Sequence, residues 1–213
     1  MQDVNHIDAL RHSCAHLLAA AVLELYPHAK PTIGPAIEDG FYYDFDFGET
    51  KLSDTDLPKI EKKMKKLITS WKSFECKEVD KQEAEDFFQH NEYKKELIDE
   101  FAREEQTLTL YTSGSFTDLC KGGHTEHPSK EIKHFKLLSL AGAYWRGSEK
   151  NKMLTRIYGT CFVSKEDLDD FLFRREEAKK RDHRKIGKDQ QLFMVDERVG
   201  KGLIMWLPNG AII

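Results

Sequence analysis

Cysteine is scarce and scattered: four residues, Cys14, Cys76, Cys120 and Cys161, lie far apart in 213 positions with no CxxC pair. That spacing argues against a secreted disulfide framework and for reduced thiols. Long apolar runs are missing too. The longest, Leu17 to Leu23, has seven residues, against about 18 for a helix that crosses a bilayer. The start Met1-Gln2-Asp3 lacks the basic and apolar regions of a secretory signal. There is no internal repeat and no low-complexity tract, and the expectation is a soluble, intracellular chain.

An excess of positive charge is also absent, since 33 Lys+Arg stand against 37 Asp+Glu for a net charge of −4. The balance hides segregation along the chain. Arg174 to Lys188 carries eight Lys/Arg and three Asp/Glu, net +5, while Glu75 to Glu105 carries twelve acids and five bases, net −7. Distribution rather than sum decides whether a polyanion can bind. What the chain does have is aromatic mass: thirteen Phe, seven Tyr and three Trp exclude wholesale disorder and suffice for one good core, with material left for part of a second.

Periodicity predicts a helix from Ile7 to Tyr26, ended by Pro27. One stripe of it is Ile7, Leu10, Cys14, Leu17, Leu18, Ala21 and Leu25; the opposite stripe is His12, His16, Ala19, Ala20 and Leu23. Only Arg11, Ser13 and Glu24 read as water-facing, so the helix is expected to be covered on both sides. Asp39-Gly40 signals a hairpin turn, and Phe41 to Phe47 alternates as a strand with Phe41, Tyr43, Phe45 and Phe47 on its core face. An amphipathic helix capped by Ser53 or Asp54 follows to Trp71, burying Leu57, Ile60, Met64, Leu67, Ile68 and Trp71. A short strand over Cys76 to Val79 leads to acidic text through Phe101 that reads as solvated surface helices. Strands are expected at Thr107 to Thr112, Phe135 to Trp145 and Met153 to Val163. Ser164 to Asp167 resembles a capping box that opens a basic helix to about His183, with Gly187 as its breaker. Two short apolar runs, Leu192 to Val195 and Leu203 to Leu207, precede the turn Pro208-Asn209-Gly210. The three residues after that turn read as an interrupted strand, so the end is expected to be a cut.

Two weak pairs carry the chemistry. His12 and His16 stand one helical turn apart on one face, the spacing that presents two nitrogens to a metal or two bases to a substrate. The first lacks the neighbouring Glu of an HExxH zinc peptidase. Asp118-Leu-Cys120-Lys-Gly-Gly-His124 cannot continue as a helix through two glycines, so Cys120 and His124 are expected on a loop that doubles back. One reading joins His12, His16, Cys120 and His124 as a tetrahedral zinc site. The other is a metal-free polar pocket in which the same groups orient a substrate and a water.

Arg11-His-Ser-Cys-Ala-His-Leu-Leu, Ile33-Gly-Pro, Glu38-Asp-Gly-Phe-Tyr-Tyr-Asp, Asp118-Leu-Cys-Lys-Gly-Gly-His, Gly142-Ala-Tyr-Trp-Arg-Gly, Arg156-Ile-Tyr-Gly-Thr and Lys180-Arg-Asp-His-Arg-Lys-Ile-Gly-Lys together resemble the bacterial-type threonyl-tRNA synthetase family in order and spacing. The resemblance implies an α+β fold in which antiparallel sheets pack with helices, the editing-domain fold shared with alanyl-tRNA synthetases. It divides the chain into an editing domain over 1–163, a basic linker helix over 164–187 and, over 188–213, the truncated start of a class II catalytic domain. Carried over by position, the editing site is His12, His16, Lys94, Cys120 and His124 as catalytic residues, with Asp118, Lys121, Tyr43 and Gly34 binding substrate. Two departures stand out: Lys121 where relatives often have Arg, and Gly123 where they often have Pro. Tyr93-Lys94-Lys95 offers two candidate lysines.

The resemblance implies an aminoacyl-tRNA hydrolase that clears Ser-tRNA(Thr), with tRNA(Thr) and its aminoacylated 3' end as partner and no membrane. A missing methyl discriminates by only about 1–3 kcal/mol, so a threonine-activating site needs a second, hydrolytic sieve. In the parent enzyme, a threonine-tRNA ligase expected to be cytoplasmic and homodimeric through other domains, ATP and zinc belong to the catalytic domain. Editing itself requires no cofactor on this reading, with zinc at His12, His16, Cys120 and His124 as the open alternative. Cys120 as a nucleophile is a rival to a positioned water. Two other functions fit the same text: a free-standing alanyl-type trans-editing deacylase, and a non-catalytic zinc- or RNA-binding module.

Overall fold

The computed structural model describes residues 6–196, 198–200 and 202–212; the Met1-Gln2-Asp3 start read above and Ile213 lie outside them. Helix α1 (His6–Leu25) ends just before Pro27, as expected. It is apolar on nearly every side and buried almost throughout, with Leu10, Cys14, Leu17, Leu18, Ala19, Ala21 and Val22 all at 1% exposure or less. Such a helix belongs in the middle of a core rather than on its surface.

Strands β1 (Lys30–Pro31) and β2 (Ala36–Ile37) share one edge of β3 (Gly40–Asp46), which pairs antiparallel with β8 (Met153–Phe162), itself paired with β7 (His134–Tyr144). The β2–β3 hairpin turns at Glu38-Asp39, between the paired residues Ile37 and Gly40. Phe41, Tyr43, Phe45 and Phe47 all point into the core with α1, as their alternation predicts. Helix α2 (Leu57–Leu67), extended at each end by a 3-10 turn, packs on α1 and buries Leu57, Ile60, Met64, Ile68 and Trp71, with Leu67 half-buried. The other face of β3 is covered too. Asp44 is held by a bidentate pair with Arg156 at 2.7 and 2.8 Å, and Asp46 by Tyr93 and Lys152 at 2.8 and 2.7 Å.

A second antiparallel sheet runs β4 (Glu75–Val79), β5 (Leu108–Ser113), β6 (Phe116–Leu119). Helices α3 (Lys81–Phe87) and α4 (Glu92–Arg103) pack on it through Ala84, Phe88 and Ile98. The acidic segment is therefore not simply a pair of solvated helices: one face of each closes a small core of its own, and Lys94 is buried with it. A short helix, α5 (Pro128–Glu131), precedes β7.

Contacts divide the chain into two compact units, Met1–Leu168 and Asp169–Ile213. Helix α6 (Lys165–Lys180) spans that division. Its start is fixed by Ser164, whose Oγ accepts the Asp167 N–H at 3.0 Å; the Asp167 carboxylate meets the hydroxyl at 2.7 Å instead of reaching back to the backbone. Gly187 does not break the helix. The chain turns at Asp182, whose carboxylate caps a new helix, α7 (His183–Asp189), by accepting the Arg184 N–H at 2.8 Å. Gly187 sits inside α7 because the Phe193 ring lies where a Cβ would be, 2.1 Å from it. The two late apolar runs form a hairpin of β9 (Phe193–Val195) and β10 (Ile204–Trp206). Among the described residues no helix is long and apolar enough to cross a membrane.

Candidate functional site

The two weak pairs converge. Helix α1 places the His12 and His16 rings edge to face, 4.8 Å between centroids. After β6 the chain reverses through Gly122 (φ +93°) and Gly123 (φ +85°), conformations that side-chain-bearing residues rarely adopt and that proline cannot. The reversal brings His124 Nε2 within 3.4 Å of Cys120 Sγ, and Cys120 Sγ lies 3.0 Å from His12 Nε2. The His124 ring is stacked between His12 (4.6 Å) and Phe74 (3.9 Å), with His16 edge-on at 4.5 Å. His12 Nδ1 donates to the Gly34 carbonyl at 3.3 Å, which fixes its proton on Nδ1 and leaves Nε2 as an acceptor.

A charged wall faces this neutral one. Asp118, at the end of β6, accepts the Lys94 ammonium on Oδ1 at 2.5 Å and the Tyr43 hydroxyl on Oδ2 at 2.5 Å; the Leu119 N–H also reaches Oδ1, at 2.9 Å. Lys94 and Asp118 are each 2% exposed. Of the two candidate lysines, the buried one is therefore Lys94, and Lys95 is exposed. The first turn of α4 is locked for this purpose by Asn91, whose side chain accepts from the Tyr93 and Lys94 N–H groups and donates to the Pro31 carbonyl at 2.8 Å. Gly34 lies against Tyr43, so close that a Cβ there would sit 2.1 Å from the ring. Lys121 is exposed, its ammonium 4.4 Å from the centre of the Phe101 ring. Between the walls is a cavity of about 400 Å³, lined by His12, His16, Lys94, Asp118, Cys120 and Lys121, with Ile33, Gly34, Leu97 and Phe101 supplying its apolar surface.

Burial sets the protonation states. It holds His12, His16 and His124 below the ordinary imidazole range, with the Gly34 hydrogen bond and Asp118 partly opposing it at His12, and neighbouring imidazoles reinforcing it at His16 and His124. It pushes the Cys120 thiol up to about 12, against the pull of the Gly122 N–H, and raises Tyr43, which is further held protonated by Asp118. At neutral pH the cluster is three neutral imidazoles and a neutral thiol, beside one buried ion pair. A thiol in that state is a poor nucleophile.

The donor atoms of His12, His16, Cys120 and His124 all lie within 4.8 Å of one another. Three nitrogens and one sulfur fit zinc in kind. The 3.0 and 3.4 Å contacts through Cys120 also match hydrogen bonds to a protonated sulfur, so the donor set accommodates either state.

Residues 108–158 match the family model of the threonyl and alanyl tRNA synthetase second additional domain. The threonine-tRNA ligase of Staphylococcus carnosus is 54% identical over 207 residues, which is 97% of this chain and 32% of that protein. Those of Thermotoga maritima and Dehalococcoides mccartyi are 50% and 49% identical over 216 and 210 residues, covering 100% and 99% of this chain and 33% and 35% of theirs. Over nearly its whole length the chain is similar to threonine-tRNA ligases. It spans about a third of the length of these relatives. Within the segment it shares with threonine-tRNA ligases, the second additional domain contributes Asp118, Cys120, Lys121 and His124, whereas His12, His16, Gly34, Tyr43 and Lys94 come from outside the matched residues.

Three contributors escape a sequence reading. Ser13 and Arg11 look water-facing by pattern, yet both are buried. Arg11 donates to the carbonyls of Glu38, Ile37 and Cys161 and lies over the Phe162 ring, while Ser13 meets His124 Nδ1 at 3.3 Å and the Thr125 N–H at 3.0 Å. Phe74, in the link between α2 and β4, is the third. A polar residue on a helix with no solvated face was the available signal for the first two; nothing local marks Phe74.

Proposed function

We propose that this chain is the editing part of a threonine-tRNA ligase and hydrolyses the ester of Ser-tRNA(Thr) with a positioned water. The observation that carries the reading is one cavity walled on one side by His12, His16 and Cys120, with His124 behind them against Cys120, and on the other by the buried Lys94–Asp118 pair. A space of about 400 Å³ lies within the range of small-molecule sites and suits a seryl group on a terminal nucleoside. It is far too small for a nucleic-acid duplex.

Each role follows from what the side chain has left to give. The Asp118 carboxylate offers about four lone-pair sites and receives three donors, so one remains for the α-ammonium of the amino acid. Lys94 spends one strong hydrogen bond on Asp118 and keeps others for the oxygen on which negative charge develops. Neutral His12 and His16 accept protons from water or hold the terminal adenosine; Cys120 and His124 contact the seryl side chain or the water. Tyr43 and Gly34 shape the floor of the site, and Lys121 at its rim supplies a point charge for a phosphate or ribose. Where zinc is bound, His12, His16, Cys120 and His124 would hold it, and it would supply Lewis acidity and a more acidic water. Residues 1–163 form the editing domain on this reading, 164–187 a basic linker and 188–213 the opening of the catalytic domain, whose ligation of threonine with ATP and whose homodimer belong to a protein of the relatives' length in the cytoplasm.

Incubation with Ser-tRNA(Thr) and Thr-tRNA(Thr) tests the reading. Rapid loss of the seryl ester alone, abolished by His16→Ala, is expected, and stability of both esters refutes it. The same assay after chelation decides the metal: full activity of metal-free protein removes zinc from the reaction.

A further inference from the structure

Every hydrogen bond through the His/Cys cluster has a direction, and both ends of the chain of bonds are backbone groups whose polarity cannot change. At one end the Thr125 N–H points at Ser13 Oγ, 3.0 Å away. At the other, the Gly34 carbonyl can only accept, and His12 Nδ1 lies 3.3 Å from it. Ser13 is fully buried, so its hydroxyl proton cannot be given to bulk water, and among the described residues its one acceptor in reach is His124 Nδ1, at 3.3 Å. His124 then carries its own proton on Nε2, facing Cys120 Sγ at 3.4 Å. The thiol proton goes to His12 Nε2 at 3.0 Å, nearer and more basic than the alternative acceptor, the Gly122 carbonyl at 3.8 Å. In the reverse polarity, an unprotonated His12 Nδ1 would face the Gly34 oxygen and the Ser13 proton would be stranded in the core, each at the cost of an unsatisfied buried polar group.

We propose that Ser13 is a positioning residue that sets this polarity, holding His124 as the tautomer protonated on Nε2 while His12 presents an unprotonated Nε2. Two imidazoles stacked 4.6 Å apart are thereby given opposite roles at one sulfur: His124 Nε2–H donates to Cys120 Sγ and His12 Nε2 accepts the thiol proton, so the proton order of the cluster beside the cavity is fixed before substrate enters. The catalytic consequence rests on the deacylase reading above; the tautomer assignment does not.

Long-range 1H–15N correlation spectra of the chelator-treated chain at pH 7.5, with histidine 15N-labelled and signals assigned through His12→Asn and His124→Asn variants, test the assignment. The expected spectrum shows His124 protonated on Nε2 and His12 on Nδ1. Ser13→Ala is expected to move His124 toward the Nδ1-protonated form with His12 unchanged, to lower the single-turnover rate on Ser-tRNA(Thr) on the order of 10-fold with little change in KM, and Ser13→Thr to restore both. His124 protonated on Nδ1 in the unsubstituted protein overturns the proposal, and that spectrum decides even if Ser13→Ala fails to fold. An unaltered His124 tautomer in folded Ser13→Ala overturns it as well. Correct tautomers in a protein that leaves Ser-tRNA(Thr) intact would sink the deacylase reading and leave the polarity standing.

Discussion

The buried pair of Lys94 and Asp118 permits a stability test that is independent of catalysis. Their side chains are 2% and 3% exposed and 2.5 Å apart, so removing either charge leaves the other in a dry site with no counter-ion. Breaking such a pair costs about 3–5 kcal/mol, whereas replacing both members costs far less, because the desolvation penalty leaves with the charges. For Lys94→Met and Asp118→Asn singly, with a urea m-value of about 2 kcal/mol/M for a domain of this size, the midpoint should fall by about 1.5–2.5 M. The double variant should recover at least about 2 kcal/mol relative to the sum of the singles. Equilibrium unfolding followed by Trp71 and Trp145 fluorescence in a Trp206→Phe background reads the first unit alone, since Trp206 lies in the second. Single costs below about 1 kcal/mol that add in the double variant would refute the reasoning: the pair would then be wet, and Lys94 too well screened to stabilise charge in a reaction.

Acid should destabilise the first unit by way of its imidazoles. His12, His16 and His124 are held below the ordinary value of 6.5, so the unfolded chain binds more protons once pH falls below about 6.5. Their contribution is fully present above that value and is lost as pH drops, with a slope approaching about 4 kcal/mol per pH unit if all three take part; unfolding free energies that stay equal from pH 7 to pH 5 would contradict the burial argument. Gly34→Ala should force the fully buried Tyr43 ring off Asp118, costing about 1–3 kcal/mol and most of the deacylation, as read by urea unfolding and ester loss; an unperturbed variant would mean that Tyr43 has room to retreat. Neutralising Arg174, Arg175 and Lys179 should reduce the salt slope of tRNA binding by up to about 2.7 if all three meet phosphates. Arg174 and Lys179 already pair along the helix with Asp170 and Glu176, and an unchanged slope would make that face a solvated one.

Much of the site was legible because its evidence is local. A turn of helix separates His12 from His16, and two glycines separate Cys120 from a return at His124, so spacing alone carries the inference. The alternation of Phe41 to Phe47 likewise names its own core face. What spacing could not give is pairing across the fold. That Lys94 meets Asp118 rather than solvent depends on α4 packing against the second sheet, and its charged sequence context points the other way. Ser13 reads as part of a narrow water-facing strip on a helix otherwise expected to be covered, and only the packing of the fold shows that this strip is buried too. The basic helix ends close to the expected His183, but the second helix that follows it escapes the sequence for a related reason: Gly187 is a breaker by propensity, yet the Phe193 ring occupies the space its missing side chain leaves, while the Asp182 cap uses a side-chain geometry that composition does not reveal.

The site draws its groups from residues 12 and 16, 34 and 43, 94, and 118–124, with Cys120 meeting His12 across 108 positions of chain. No contiguous stretch carries more than a fraction of it, and the segment that matches the second additional domain would on its own hold four of its groups and none of their partners on α1. If the proposed function holds, ester hydrolysis is therefore a reporter of the folded fraction as well as of chemistry. A substitution anywhere in the first unit that populates the unfolded chain lowers the rate in proportion, and only variants whose stability has been matched can be read as losing a catalytic group.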